Sequence, residues 1–308
     1  MKNLHCHFSL SSLSSSLSLS SSLSLSLSLL ILLTSCEHVS FSDFLAPDGK
    51  TLVTLHITPF QQQPFPSRST LSEAANRLDI AIFNSDGTRA TKVNQKSTDA
   101  DYGNPSFYLT PGTYTITCIA HNGSGIATMT TLEEVTFPSN KTTDTFLNSQ
   151  TLVIGDSPVS TDITLHRCVS MVRFIVTDTD IPSEVSQLKF YYTGGSSTLN
   201  PITGFGSKQS KQTEYRLLSE APRDDQGHPI FEIYTFPHEN EDLLKITVTP
   251  QTDTSNDLTQ YEHIFTDVPV TLNTISTHQG SLFNAGSSTS SNVTIAIDTN
   301  WTTNTHEF

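Results

Sequence analysis

Runs of alternating apolar and polar residues are the feature that most constrains how this chain can fold. Residues 51–58 place Val53, Leu55 and Ile57 on one side of an extended backbone, with mostly polar residues on the other. Because successive side chains of a β-strand point to opposite faces, this period of two predicts half-buried strands. Runs of this kind recur at residues 78–83, 113–120, 151–154, 169–176, 188–192, 231–236, 244–249, 262–265, 268–272 and 293–297.

So many short strands predict an all-β fold of two tandem antiparallel β-sandwich domains. The residues after position 35 far exceed the about 100 residues of a single sandwich, so a second core is needed. The best seam is the turn-rich segment 155–160, which divides the chain into an N-terminal domain with a short tether, residues 36–160, and a C-terminal domain, residues 161–308. Helical patterns are confined to residues 71–77 and 217–221.

The first 35 residues form a separate segment, with 14 serines, 12 leucines, one basic residue and no acidic residue. A cationic start, an apolar stretch and small residues at the end are the parts of a secretory signal peptide. The rival reading, a transmembrane helix, is disfavoured because the strictly apolar run is shorter than the ~20 residues that span a bilayer.

The segment ends in Leu33, Thr34, Ser35 and Cys36, which resembles the lipobox of bacterial lipoproteins. We therefore expect signal cleavage between Ser35 and Cys36. Acyl chains on Cys36 would then attach the protein to a membrane, because several chains together give stable anchoring. The alternative is an ordinary cleavable signal in which Cys36 carries no lipid.

Charge and cysteine usage narrow the function further. The chain has 30 acidic and 16 basic residues, a net charge of −14. Nucleic-acid binding relies on clustered Lys and Arg, so no nucleic-acid partner is expected. Of the four cysteines, Cys6 leaves with the signal and Cys36 is acylated. Cys118 and Cys168 lie within apolar runs and are expected to be buried free thiols, with a disulfide between them as the alternative.

Motifs that carry catalysis or bind metals do not occur in the sequence. It has no Cys-x-x-Cys pair, no His-Glu-x-x-His helix, no phosphate loop and no nucleophile elbow. Residues 99–104, DADYGN, lack the oxygen-bearing positions and the closing Glu of a calcium loop, and they predict a plain turn. We therefore predict no catalytic residue, no metal site and no cofactor, although a triad assembled from distant positions would escape such a search.

Three sequence blocks point to a family. The first is LTPGTY at residues 109–114, followed by His121 and Asn122. The second, within residues 179–206, contains TDIP, FYYTGGS and TGFG, and the third, within residues 268–283, contains VPVTLN and GSLF. With the lipobox in front of them, these blocks resemble, in the same order, the minor-fimbrillin anchor lipoproteins of Bacteroidetes fimbriae.

The resemblance implies tandem transthyretin-like sandwiches and a structural role without enzymatic activity. Such an anchor holds the base of a fimbrial shaft in the outer membrane and terminates shaft assembly. The implied partner is the shaft subunit, a major fimbrillin, joined by β-strand addition. We expect the docking strand at residues 51–57 or 293–297, the strands nearest the two ends of the folded chain.

The polar, Pro-rich loop at residues 61–69 bears on shaft termination because it contains Arg68. In polymerising fimbrillins, an arginine-specific protease removes the first strand and so opens a groove. In a lipid anchor, the same cut would separate the body from its acyl chains. We therefore hypothesise that Arg68 is an ordinary loop residue and that the groove stays closed, which would end the polymer.

Two other functional classes stay open, a surface glycan-binding lipoprotein and a fimbrial tip adhesin. Glycan binders usually expose aromatic side chains. The single tryptophan is Trp301, and Tyr102, Tyr191 and Tyr192 are further candidates for a glycan platform.

Overall fold

The computed structural model describes residues 49–59, 70–240, 242–283, 292–294 and 302–307. Strands dominate these residues, and the all-β prediction is confirmed. The one α-helix among the described residues, α1, is Leu71–Ala74, and none of the described helices is long and apolar enough to cross a membrane. The strands, in chain order, are β1 Thr51–Pro59, β2 Arg77–Asn84, β3 Arg89–Lys96, β4 Ser106–Leu109, β5 Gly112–His121, β6 Thr128–Thr131, β7 Glu134–Thr136, β8 Thr145–Ile154, β9 Val159–Arg167, β10 Ser170–Val176, β11 Gln187–Thr193, β12 Thr198–Asn200, β13 Phe205–Gly206, β14 Lys211–Leu217, β15 Ile230–Thr235, β16 Asp242–Gln251, β17 His263–Val270, β18 Thr274–Gly280, β19 Asn292–Thr294 and β20 Thr302–Glu307.

Seven of the first nine strands form a sheet with the order β3-β2-β5-β8-β9-β1-β4, and β6 and β7 belong to a separate small sheet. Only two residue pairs join β8 to β9, so the sheet folds over at this corner and encloses its own core. Apolar side chains from both sides of the corner meet there, as the alternation of their strands predicts. The core includes Val53, Leu55, Ile57, Leu78, Ile80, Ile82, Ile116, Cys118, Ile163 and Leu165.

The later strands form two sheets over a second core. Their orders are β15-β10-β18-β20-β19 and β14-β11-β16-β17. Most neighbours are antiparallel, as predicted, but β1–β9, β10–β18 and β18–β20 are parallel pairs. The second core includes Val172, Phe174, Leu188, Phe190, Tyr192, Phe231, Ile233, Ile246, Val248 and Phe265.

A small sheet and a third apolar cluster connect the two cores. Strand β12 pairs with β7, and the cluster combines Phe83 and Ile119 with Phe236 and Ile275. The division into residues 36–160 and 161–308 stays a prediction. Because β9 pairs with β1 and β8, we propose that the boundary between the two domains lies after β9, at Cys168.

Two local predictions are wrong. Residues 217–221 are not helical, because Leu217 ends β14 against Gln187 of β11 and a turn follows. The predicted strands at residues 262–265 and 268–272 are one strand, β17, whose pairing with β16 slips by one position. Asp267 occupies that irregularity with a φ of 58°, which breaks the alternation without ending the strand.

Candidate functional site

Strand addition requires a sheet edge with free backbone groups, and β1 does not provide one. It pairs with β4 along one side and with β9 along the other. Where β4 ends, the Leu55 N–H donates to the Pro105 carbonyl at 3.0 Å and the Ile57 N–H donates to the Gly103 carbonyl at 2.8 Å. The prediction that residues 51–57 form a free docking strand is therefore wrong, because the chain itself covers both edges of β1.

The other predicted sites lie wholly or partly outside the described residues. Of residues 293–297, the described part belongs to β19, which pairs with β20, and residues 295–297 lie outside. The signal residue Ser35, the lipidation residue Cys36, Arg68 and Trp301 also lie outside them. Their proposed roles therefore rest on the sequence.

Several described sheet edges are protected against pairing with another chain. Strand β3 carries the exposed cations Arg89, Lys92 and Lys96, β4 has only four residues, and β17 contains Pro269. Charges, short length and proline are the devices by which sheets avoid unwanted strand addition. The longer edges β14 and β15 lie on the same side of the second core and contain no proline, but β14 carries the charged residues Lys211, Glu214 and Arg216 and β15 carries Glu232.

Side chains and a neighbouring loop occupy the free edge of β15. The Ile230 N–H donates to the Pro222 carbonyl at 2.8 Å, and Arg216 Nη2 of β14 donates to the Glu232 carbonyl at 3.0 Å. Farther along the edge, the Tyr192 hydroxyl lies 3.1 Å from the carbonyl oxygen of Tyr234. A strand added to β15 would displace all three contacts.

A buried polar network lies next to the edge of β15. The Tyr192 hydroxyl donates to Glu214 Oε1 at 2.6 Å, and Arg216 forms an ion pair with the same Glu214 carboxylate. Burial, followed by the nearby Glu214 charge, raises the pKa of Tyr192 well above its usual value. The network therefore holds a neutral phenol and a paired carboxylate between the two sheets.

A surface groove runs along β14 and is lined in part by Glu214 and Arg216 of this network; we name it the β14 groove. It consists of two neighbouring cavities of about 360 Å³ and about 600 Å³, which share Lys141 and Tyr215. The smaller cavity is also lined by Ser139, Asn140, Lys211 and Thr213. The larger cavity is also lined by Arg216, Leu217, Glu220, Pro222, Ile230 and Tyr234.

The three tyrosines proposed for glycan contact have different environments. Tyr192 is 1% exposed, and the Tyr102 hydroxyl donates to the Ala75 carbonyl while burial raises the pKa of Tyr102 to about 12. Only Tyr191 presents its ring to solvent, at 39% exposure, and Tyr215 joins it at 54%. Sequence reasoning misses Tyr215, because the buried side of β14 carries Gln212 and Glu214 and gives no hydrophobic alternation.

The motif residues that the sequence singled out have structural roles. His121 accepts a hydrogen bond from the Gly123 N–H at Nδ1, so its Nε2–H donates to Asp79 Oδ2 at 3.0 Å in a fully buried pair. Asn122 fixes the entry to β2, since its Nδ2 donates to the Ala74 carbonyl and its Oδ1 accepts from the Asn76 N–H.

The two later sequence blocks are also explained by packing. Gly194 has a φ of +106°, and a Cβ on Gly195 would lie 2.1 Å from Thr235 Oγ1. The GSLF block is held by buried Asp178, which accepts from Ser281 Oγ at 2.5 Å and from the Leu282 N–H at 2.6 Å.

The remaining candidates for chemistry are structural within the described part of the chain. No group of three or more His, Cys, Asp or Glu residues there is arranged to hold a metal ion, and residues 99–104 form turns. Cys118 and Cys168 are free and buried, as predicted, and burial raises the pKa of both thiols.

Comparison with models of known protein families identifies the family of this chain. The family model for fimbrillin-A associated anchor proteins Mfa1 and Mfa2 matches residues 65–307. Three solved structures are similar at low identity. The fimbrial anchor protein Mfa2 from Porphyromonas gingivalis is 14% identical, with a TM-score of 0.42 over 71% of this chain and 82% of that one.

The second, a candidate adhesin from Bacteroides thetaiotaomicron, is 12% identical, with a TM-score of 0.45 over 69% of this chain and 80% of that one. The third, a fimbrial assembly protein from Parabacteroides distasonis, is 12% identical, with a TM-score of 0.38 over 75% of this chain and 91% of that one. No curated protein matches the chain.

Proposed function

This chain belongs to the family of fimbrillin-A associated anchor proteins, and we propose that it attaches the base of a fimbrial shaft to the outer membrane. The observation that carries the proposal is the family match over residues 65–307, which spans nearly all of the β-rich body. The lipobox-like segment ending at Cys36 supplies the attachment, since acyl chains on that thiol would hold the body at the membrane surface.

The partner in this proposal is the shaft subunit, a major fimbrillin, and the contact is β-strand addition. Shaft growth ends at the anchor because its first sheet offers no vacant position. The double pairing of β1 supports this step, since Val53 and Leu55 are fully buried while the backbone of β1 is bonded on both sides.

Arg68 has no processing role in this proposal. It follows β1 in the segment 60–69, where a cut would leave the acylated N-terminus attached to the body only through the pairing of β1. An uncut chain keeps the lipid and the shaft contact on one polypeptide. Recovery from cells of a folded, polymerisation-competent fragment beginning at Ser69 would contradict this.

The role is structural, and no catalytic step is part of it. The polar groups with unusual surroundings, such as Tyr192, Glu214 and the pair Asp79–His121, are held inside the protein by neighbouring side chains. Their contacts stabilise sheets and loops, which is sufficient for an anchor.

Deletion of the gene tests the proposed function. An anchor that also terminates the shaft should leave long fimbriae, most of them released into the medium, when it is lost. Fimbriae of normal length that stay on the cell, with only adhesion or sugar uptake lost, would indicate a tip adhesin or a glycan-binding lipoprotein instead. Electron microscopy of cells and of the culture medium separates these outcomes.

A further inference from the structure

We propose that the β14 groove binds an anionic polysaccharide, through sugar units that carry carboxylate or sulfate groups. This activity is additional to anchoring and does not depend on it. The groove lies between the turn at Pro138–Asn140, with Lys141 after it, and the edge strand β14.

The charge of the smaller cavity is opposite to that of the chain. Lys141 and Lys211 line it, and neither forms an ion pair with any residue that the structure describes. The one acidic residue in its lining, Glu214, is engaged by Arg216 and Tyr192. On a chain of net charge −14, two cations beside one cavity form a local site for an anion. Exposed acidic residues more than a Debye length away, about 8 Å, are largely screened from it.

The other lining groups suit the hydroxyl groups of a sugar. Ser139, Asn140 and Thr213 supply both hydrogen-bond donors and acceptors. Ser139 and Asn140 have φ values of 58° and 54°, so two consecutive residues of the turn beside the cavity hold the left-handed conformation. Few precisely placed polar groups around a concave surface are typical of ligand sites.

Aromatic surface continues from the groove onto the outer face of the sheet. Tyr215 pairs with Lys189, and Tyr191 pairs with Thr213 one step along the same two strands. The two tyrosines are therefore diagonal neighbours on one face, a spacing of about 7–8 Å in antiparallel sheets. Exposed aromatic rings give the apolar face of a sugar ring a flat partner.

The dimensions favour a polymer over a single sugar. The two cavities each fall within the 300–1,000 Å³ range of small-molecule sites, and they share Lys141 and Tyr215. A ligand that follows β14 would therefore occupy both, with its anionic groups in the smaller cavity, because Glu220 and Glu232 line the larger one. A protein strand fits less well, because Arg216 bonds the Glu232 carbonyl across the space between β14 and β15 and would have to be displaced.

Titration calorimetry with the purified mature chain tests this proposal. The probes are dextran sulfate oligomers and oligogalacturonate as anionic saccharides, with uncharged dextran as the reference. We expect binding of at least one anionic probe and none of dextran. Lys141→Gln and Lys211→Gln should each weaken the affinity about tenfold, because each removes a charge-assisted contact. Lys96→Gln on the exposed edge of β3 is the matched control and should leave the affinity unchanged.

A second pair of variants distinguishes a specific saccharide site from non-specific attraction between opposite charges. Tyr215→Ala should weaken binding several-fold, whereas Tyr215→Phe keeps the ring and should retain it. Equal losses for Lys96→Gln and Lys211→Gln, equal binding of dextran, or no saccharide binding would each overturn the proposal. So would a peptide strand of the shaft subunit that binds the groove when no saccharide does. Thermal unfolding of each variant checks that the fold is intact.

Discussion

Replacement of Asp79 by leucine should destabilise the protein strongly. The Asp79 carboxylate is fully buried in β2 and accepts three hydrogen bonds, from His121 Nε2 at 3.0 Å, from the Ala127 N–H at 2.6 Å and from Asn94 Nδ2 at 2.8 Å. Asn94 is half-buried and can turn to water. His121 and Ala127 are buried, so their donors would lose their acceptor without a replacement.

Each unsatisfied buried donor costs about 1–3 kcal/mol, so the two together give about 2–6 kcal/mol for Asp79→Leu. This is a large part of the 5–15 kcal/mol that typically stabilises a folded protein. Asp79→Asn keeps an acceptor for His121 and Ala127, and Asn94 can turn its oxygen towards the new amide. It should therefore cost only about 1–2 kcal/mol, the loss of charge assistance.

Urea unfolding followed by circular dichroism measures both variants. We expect the midpoint of Asp79→Leu to fall well below that of Asp79→Asn, with a similar slope of free energy against urea. If the two variants lose equal stability, or if Asp79→Leu loses less than about 1 kcal/mol, the carboxylate does not satisfy the buried donors as described.

Four further predictions concern the described residues. Asp178→Ala should cost about 2–4 kcal/mol and expose residues 281–283 to limited proteolysis, because the Leu282 and Phe283 N–H groups lose their acceptor. Burial raises the pKa of Tyr192 above 10.0, so the neutral phenol contributes fully to the unfolding free energy below pH 10 and loses this contribution as the pH rises further. In Tyr192→Phe, the unfolding free energy should therefore fall less steeply at alkaline pH, by up to about 1.4 kcal/mol per pH unit. Cys118 and Cys168 should react with Ellman's reagent only after unfolding, so rapid labelling of the native protein would contradict their burial. Gly195→Ala should prevent folding, because its Cβ would overlap Thr235, and a soluble variant of wild-type stability would refute this.

Strands with clear alternation could be predicted from the sequence. β10 and β16 bury the side that their alternation predicts. β2 and β5 were also predicted as strands, but the prediction that they are half-buried is wrong, because Ala81, Phe83 and Ile119 on their second sides pack into the third apolar cluster. β14 could not be predicted in this way, because its buried side consists of Gln212, Glu214 and Arg216 rather than apolar residues. A polar buried face has the right period but lacks the hydrophobic signal.

The pairing of strands was also beyond sequence reasoning. β1 looked like a candidate edge because it comes first in the body of the chain, but order along the chain does not determine order in a sheet. β9 occupies the position next to β1 and does so in parallel, over a separation of about 100 residues. Such long-range contacts depend on packing of the whole core.

The candidate site, too, could be predicted only in part from the sequence. Tyr191 was a candidate from its aromatic type, and the structure leaves it exposed. Lys141 and Lys211 lie 70 positions apart in the sequence and meet only because β14 passes the turn at Pro138–Asn140. Nothing in the local sequence around either lysine signals that pairing.

Lipid attachment through Cys36 is the central claim, and replacement of that residue tests it most directly. Cys36→Ser removes the thiol that would carry the acyl chains, and Cys6→Ser, within the same leader, is the matched control. After separation of cells from medium, immunoblotting for the shaft subunit measures the attached fraction. We predict that Cys36→Ser shifts the fimbriae into the medium, whereas Cys6→Ser leaves them on the cells. Fimbriae that remain cell-bound in the Cys36→Ser strain would contradict the anchor account.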